Sequence, residues 1–330
     1  MSTASKSPWK VAAVALAVGD RTLPRYGHRF SRHDFELSQL FACLALRKFF
    51  RTDYRGIVAI LADWPQMRER LRLHKTPHFT TLQKAAERLL TDPLIRKLLT
   101  QTVAAFHSHG PVTDEANMEA YVVEIAAADS TGLILDHASR YFIQRRSRAP
   151  NLWQTTTYRR FGKLAIVVDC DVHLILSIYC GTGPRPDVDE LKPLLENMCT
   201  NAVPELLVAD GGYDSQHNHR LLREKYGIES LIPAVAGRPS TALPTDRWRW
   251  LMAVNFDEET YGQRWQVETV MSMLKQHLGS TISARTDGTR QREMALMAIT
   301  HNIMIVLPEE LFYRARQERF QMVPKTHPYQ

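Results

Sequence analysis

The sequence predicts an α/β fold: a mixed five-stranded sheet with flanking helices, preceded by a helical amino-terminal module. Three observations carry this. Short continuous apolar runs from Val122 to Ala128 and from Leu206 to Ala209 suit strands buried on both faces of a sheet. Between them, Leu164 to Gly181 holds two apolar runs around Asp169 to His173, the pattern of a hairpin-linked strand pair. Upstream, residues from about 31 to 108 show helical apolar spacing in ELSQLFACLALRKFF, YRGIVAILADW and TTLQKAAERLL.

In chain order, residues 1–30 read as a packed or loosely ordered leader. Their VAAVALAV run follows two lysines but is too short to span a membrane. A separate helical domain is expected over 31–118, with Thr80 or Thr81 capping its last clear helix. The α/β domain follows over 119–308. Its first strand ends in Asp129, where Gly132 lets the chain turn, and the hairpin strands come next. DVDELKPLLENM starts a crossover helix with Asp187 as N-cap and Glu190 three residues on. The run PELLVA then enters DGGYD at Asp210, with Gly211 and Gly212 permitting a tight turn. Residues 215–226 form a helix stopped near Gly227, and ESLIPA, residues 229–234, is the fifth strand. A loop is expected from Ala236 to Asn255, and 309–330 is a polar tail.

The segment YGQRWQVETVMSMLK, residues 261–275, carries the most chemical information. At about 100° per residue on a helix, Tyr261, Arg264, Glu268 and Lys275 share an arc of about 60°. Val267, Val270, Met271, Leu274 and Leu278 form an apolar stripe beside them, and Gly279 supplies the stop. Taken alone, Arg264 and Glu268 also fit a solvated ion pair on a surface helix. Asp129 and Asp210, each following a buried-type run, add two carboxylates at strand ends, where ligands collect in such sheets. Three carboxylates so placed suggest a cage for a divalent metal ion.

The order Asp129, Asp210, Glu268, with Asp210 in DGGYD and the spacing Y-x2-R-x3-E-x6-K, resembles bacterial insertion-sequence DDE transposases. The resemblance covers residues from about 31 to 305. It implies a ribonuclease H-like catalytic domain in which Asp129, Asp210 and Glu268 hold two Mg2+ ions, with Mn2+ as a substitute, for cleaving DNA and joining its ends. It implies that Tyr261, Arg264 and Lys275 hold phosphates at the transposon end. LHKTPHFTTLQKAAERL, residues 73–89, resembles the amino-terminal region of these enzymes, which implies that the 31–118 domain serves DNA binding or dimerisation, with Lys75, Lys84 and Arg88 as candidate phosphate contacts. The interval between Asp210 and Glu268 leaves no room for the large β-rich insertion that some relatives carry there. The implied partners are double-stranded DNA, as terminal inverted repeats and target, and a second copy of the chain in a synaptic homodimer. The implied location is the cytoplasm, at the nucleoid.

The residue types suit that chemistry on their own terms. Mg2+ prefers carboxylate oxygens and is commonly held by a few of them together with substrate phosphate. Arginine binds phosphate through a fork of donors, lysine as a point charge, and tyrosine can stack on a base. Two rival readings keep the same residues: a structure-selective nuclease, and a DNA-binding regulator derived from a transposase. The regulator is disfavoured because all three acidic residues are present.

Composition agrees with a nucleic-acid partner. Net charge is +7 over 330 residues, with a sequence pI near 9.3. Basic residues cluster at Arg145, Arg146 and Arg148, at Tyr158 to Arg160, and around Trp248 from Arg247 to Arg249. Cys43, Cys170, Cys180 and Cys199 lack CxxC spacing and read as reduced residues of a cytoplasmic protein. The H-x-H pairs at His107 and His217 lack an accompanying ligand pattern for zinc. The GTG at Gly181 lacks the ending of a phosphate loop, so no nucleotide cofactor is expected.

Overall fold

Side-chain periodicity and turn chemistry produce a mixed sheet with helices on both sides of it. The computed structural model describes residues 4–28, 30, 32–107, 122–136, 160–199, 202–235 and 243–306. The strands are β1 (Val123–Leu135), β2 (Phe161–Asp169), β3 (Ile175–Gly183), β4 (Pro204–Ala209), β5 (Glu229–Leu231) and β6 (Thr281–Ile282). Their order is β3-β2-β1-β4-β5; β1, β2 and β3 are antiparallel, while β4 and β5 run parallel to β1. This is the ribonuclease H-like arrangement. The sheet has six strands rather than five, because two residues after Gly279 pair in parallel with the far end of β1 at Ile134 and Leu135.

β1 corrects one expectation. The strand does not end at Asp129, and Gly132 is not a turn: β1 continues to Leu135, with Gly132 opposite Lys163 on β2. The parallel ladder to β4 is what stops, at Ala128 opposite Ala209. Asp129 is therefore mid-strand on one side and at a ladder's end on the other. Gly132 serves close packing, since a Cβ there would come within 3.1 Å of the Phe161 ring. The β2–β3 connection is the expected hairpin. The Asp169 carboxylate accepts from the backbone N–H groups of Asp171 and Val172, and His173 adopts positive φ.

The amino-terminal helices are α1 (Pro8–Thr22), α2 (Leu37–Phe49), α3 (Tyr54–Asp63), α4 (Pro65–Arg70), α5 (Phe79–Leu89) and α6 (Asp92–His107). The expected leader is largely α1, capped by Ser7 with Pro8 at its first turn, and it buries Val11, Val14, Ala15 and Val18. The cap of α5 is His78, whose ring accepts from the Thr80 N–H, in place of Thr80 or Thr81 themselves. Further on lie α7 (Leu191–Glu196), α8 (Gln216–Arg220), α9 (Arg247–Val254), α10 (Glu258–Tyr261), α11 (Trp265–Leu278) and α12 (Asp287–Ile305). Residues 247–254, expected within a loop, are the helix α9. The 215–226 helix forms as α8 continued by a π turn, and it stops at Gly227 with φ 69°.

α12 holds the two parts of the chain together. Every residue from Met294 to Ile305 is buried, all round the helix, as befits a helix enclosed by α6, α2 and the β3 edge. Asn302 replaces a missing strand there: its amide donates to the Ile175 carbonyl at 2.9 Å and to Thr102 Oγ1 of α6 at 3.0 Å, and accepts from the Ile175 N–H at 2.9 Å. The amino-terminal helices and the sheet thus share one core cluster.

Candidate functional site

The end of the β1–β4 ladder is where the carboxylates gather. Asp129 and Asp210 each follow the last paired alanine of their strand, so they stand side by side at the sheet surface. Asp129 Oδ1 accepts from the Ser130 N–H at 2.7 Å, and Asp210 Oδ1 from the Gly211 N–H at 2.7 Å. Burial pushes the Asp129 carboxyl up to about 6; the Ser130 N–H and Arg264 oppose this, and the charges of Asp210 and Asp187 add to it.

α11 brings the third carboxylate. Its buried stripe is Val267, Val270, Met271, Leu274 and Leu278, as the spacing predicts, and Gly279 ends it. That leaves Arg264 and Glu268 on the open side. Arg264 lies between the acidic residues, with one guanidinium nitrogen 3.7 Å from Asp129 Oδ2 and another 2.5 Å from Glu268 Oε1. Tyr261 is not on the same α-helical run. α10 ends at Tyr261 and a 3-10 turn, Gly262–Arg264, leads into α11, so the even 100° spacing fails over these residues. Tyr261 still belongs to the site: burial raises its hydroxyl pKa, Asp210 and Asp129 add to the rise, and Arg264 opposes it. Its ring packs edge-on against Phe256.

Lys275 stands apart. It is seven residues beyond Glu268, about 10 Å along the helix. There it lines a cavity of about 560 Å³ with Arg47, Lys48, Arg51 and Glu293, between the amino-terminal helices and α11. Lys75 pairs with Asp34 at 2.9 Å, and Lys84 and Arg88 are exposed on α5. Arg145, Arg146 and Arg148 lie outside the described residues, as do Tyr158 and Arg159. Of the third basic cluster, Arg249 forms an ion pair with the buried carboxylate of Asp214 at 2.9 Å, while Arg247 stacks over Trp248. Cys43, Cys170 and Cys199 are buried and Cys180 half-buried, all as free thiols. His219 is buried against Ser230 and Asp214.

Sequence reasoning missed a second layer beneath the aspartates. Lys163 of β2 is 5% exposed and its ammonium lies 2.6 Å from Asp187 Oδ1 and 3.2 Å from Glu190 Oε2, while donating to the Arg185 carbonyl. Asp187 and Glu190 do not form the expected capping box. They open a 3-10 turn, Asp187–Asp189, and Glu190 precedes the short α7 without a side-chain cap. Asp187 is instead bound by the Ser130 hydroxyl at 2.6 Å. Tyr213 of DGGYD is fully buried beside these groups, and its hydroxyl has no hydrogen-bond partner among the described residues. Burial raises its pKa, and Asp187, Asp129, Glu190 and Asp210 add to the rise. One signal was in the sequence: a lysine within a run buried on both faces needs acidic company.

The transposase DDE domain family model matches residues 124–303, more than half the chain. The chain belongs to the DDE transposase family. Comparison with curated proteins finds no match. Members of this transposase family generally use divalent metal ions. Among the described residues, no group of three or more His, Cys, Asp or Glu side chains is already arranged as a metal site. The donor set nevertheless fits a hard cation. It is composed of carboxylate oxygens, and the charges of Asp210 and Asp187 bear on the buried Asp129 carboxyl. Among the described residues, no helix is long and apolar enough to cross a membrane.

Proposed function

We propose that this transposase binds the ends of its own insertion sequence and catalyses Mg2+-dependent strand cleavage followed by strand transfer. The observation that carries the reading is that Asp129 and Asp210 leave the end of one strand ladder together while Arg264 joins Asp129 to Glu268, within the matched family domain. Asp129, Asp210 and Glu268 are the metal ligands, with Mn2+ able to replace Mg2+. Two such ions would activate the attacking oxygen and stabilise the leaving 3′ oxygen of an in-line displacement.

The chain's own residues do the rest. The ladder between β1 and β4 fixes the two aspartates on a rigid sheet, so that little ordering is left for the moment of reaction. Arg264 neutralises the crowded carboxylates and offers its remaining donors to a phosphate oxygen as DNA arrives. Tyr261, beside it, contacts the same phosphate or stacks on the flanking base. Lys275, farther along α11, holds the DNA backbone as a point charge. The amino-terminal helices, with Lys75, Lys84 and Arg88, contribute end binding, and two copies of the chain bring two ends together as a homodimer.

The test is incubation of purified protein with labelled DNA bearing the element's ends, with Mg2+ or with a chelator, followed by sequencing of products. Cleavage at the ends with joined products, in metal only, is the expected result. Cleavage without joining would make the protein a nuclease, and binding alone a regulator.

A further inference from the structure

Asp187 touches the residues that follow both aspartates of the ladder, Ser130 in β1 and Gly212 in the turn after Asp210. Its Oδ1 accepts from the Ser130 hydroxyl, next to Asp129, and its carboxylate packs on Gly212, next but one to Asp210. A Cβ at Gly212 would come within 3.1 Å of Asp187 Oδ2, a tight contact, so glycine lets the turn approach Asp187 without displacing its carboxylate. The Asn218 amide donates to the carbonyls of both Val188 and Tyr213, at 3.0 and 2.9 Å, and so ties the turn carrying Asp187 to the one following Asp210. Underneath, the buried Lys163 ammonium holds Asp187 and Glu190 together. The Ser130 hydroxyl and the Lys163 ammonium both meet Asp187 at Oδ1, so that oxygen is taken up by donors and the carboxylate is held where it can set Asp129 and Asp210.

We infer that Asp187, anchored by Lys163, is a positioning residue: through Ser130 it fixes the Asp129 carboxylate relative to Asp210 and so sets the affinity of the site for its divalent ions. This rests on the reading of Asp129 and Asp210 as metal ligands. Groups that orient ligands from behind typically change metal affinity or activity by about 10- to 100-fold when removed.

The experiment measures Mn2+ binding to the full-length, DNA-free protein by calorimetry, and the Mg2+ concentration for half-maximal end cleavage. The variants are Ser130→Ala, Ser130→Thr, Asp187→Ala, Asp187→Asn and Asp129→Asn. Ser130→Ala deletes one hydroxyl, so it carries the test if Asp187→Ala does not fold. Ser130→Ala and Asp187→Ala should each weaken Mn2+ binding about 10-fold and raise the Mg2+ requirement in parallel. Ser130→Thr should restore both, because its hydroxyl can make the same bond and a strand favours the β-branched residue. Asp187→Asn, which keeps an accepting oxygen, should fall between wild type and Asp187→Ala. Wild-type Mn2+ affinity in Ser130→Ala and Asp187→Ala, beside an inactive Asp129→Asn, would overturn the positioning role and leave the site intact. Loss of binding in Asp187→Asn as complete as in Asp129→Asn would overturn it too, by making Asp187 a ligand. Undiminished Mn2+ binding and cleavage in Asp129→Asn would instead remove the reading on which the inference rests.

Discussion

Ala128 and Ala209 form the last rung of the parallel ladder between β1 and β4, and the next residue on each strand is an aspartate. Backbone pairing, not a flexible loop, therefore sets where the two carboxylates meet. Burial keeps the Asp129 carboxyl above its ordinary range, and the charges of Asp210 and Asp187 add to the rise. Arg264 reaches both Asp129 of this pair and Glu268.

Arg264→Ala should lower end cleavage by at least about 100-fold, because it removes preorganised positive charge from a site built around phosphate. Arg264→Lys should recover only part of this, since a point charge cannot span Asp129 and Glu268 together. Stability should change by less than about 1 kcal/mol, as Glu268 is largely exposed. Single-turnover cleavage with a thermal melt checks both statements. Wild-type cleavage by Arg264→Ala would count against a role at the reacting phosphate.

Lys275→Ala should weaken binding to DNA ends and reduce the slope of log affinity against log salt by about one unit, the signature of one lost phosphate contact. Cleavage chemistry at saturating DNA should change little, because Lys275 stands about 10 Å along the helix from Glu268. Fluorescence titrations at several salt concentrations measure this, and an unchanged slope would place Lys275 off the DNA.

Asn302→Ala should destabilise the protein by about 2–4 kcal/mol. It leaves both the N–H and the C=O of Ile175 without their partner in a buried setting, as well as removing the bond to Thr102. Chemical denaturation gives the number. A loss under about 0.5 kcal/mol would mean that the β3 edge is satisfied some other way.

His301 sets a stability change with pH. Burial lowers its pKa from 6.5 to about 4, although its ring nitrogen bonds the His173 carbonyl. The fold favours the neutral ring, so its contribution is whole above about pH 6.5 and is lost as pH falls from there towards 4. The full loss is about 3 kcal/mol. His301→Gln, neutral throughout, should flatten the melting temperature across that window relative to the parent. Parallel pH profiles in the two proteins would contradict the assignment.

Much of this was legible in the residues, for identifiable reasons. The stripe from Val267 to Leu278 is periodic, and a helix buries what is periodic. The runs ending at Ala128 and Ala209 read as strands because apolar residues dominate them, with Glu124 alone breaking the first. What periodicity could not show was long-range partnership. Asp129 looked like a strand terminus because the apolar run stops there, yet the antiparallel partner β2 carries the strand on to Leu135. Asp187 and Glu190 have the spacing of a capping box, but Lys163, distant in sequence and buried, claims both carboxylates. The uniform helical rotation assumed for Tyr261 failed at a 3-10 turn, which even spacing does not reveal. The leader reads as either packed or loosely ordered because its apolar run is short, and the pairing of α1 with α2 shows what it covers.

The most direct test of the account compares Asp129→Asn, Asp210→Asn and Glu268→Gln with the parent protein, on DNA carrying the element's ends and in saturating Mg2+. The account predicts that each variant binds the ends with near-parental affinity and yields neither cleaved nor joined product. Turnover by any one of the three would remove that residue from the metal site and break the arrangement on which the account depends.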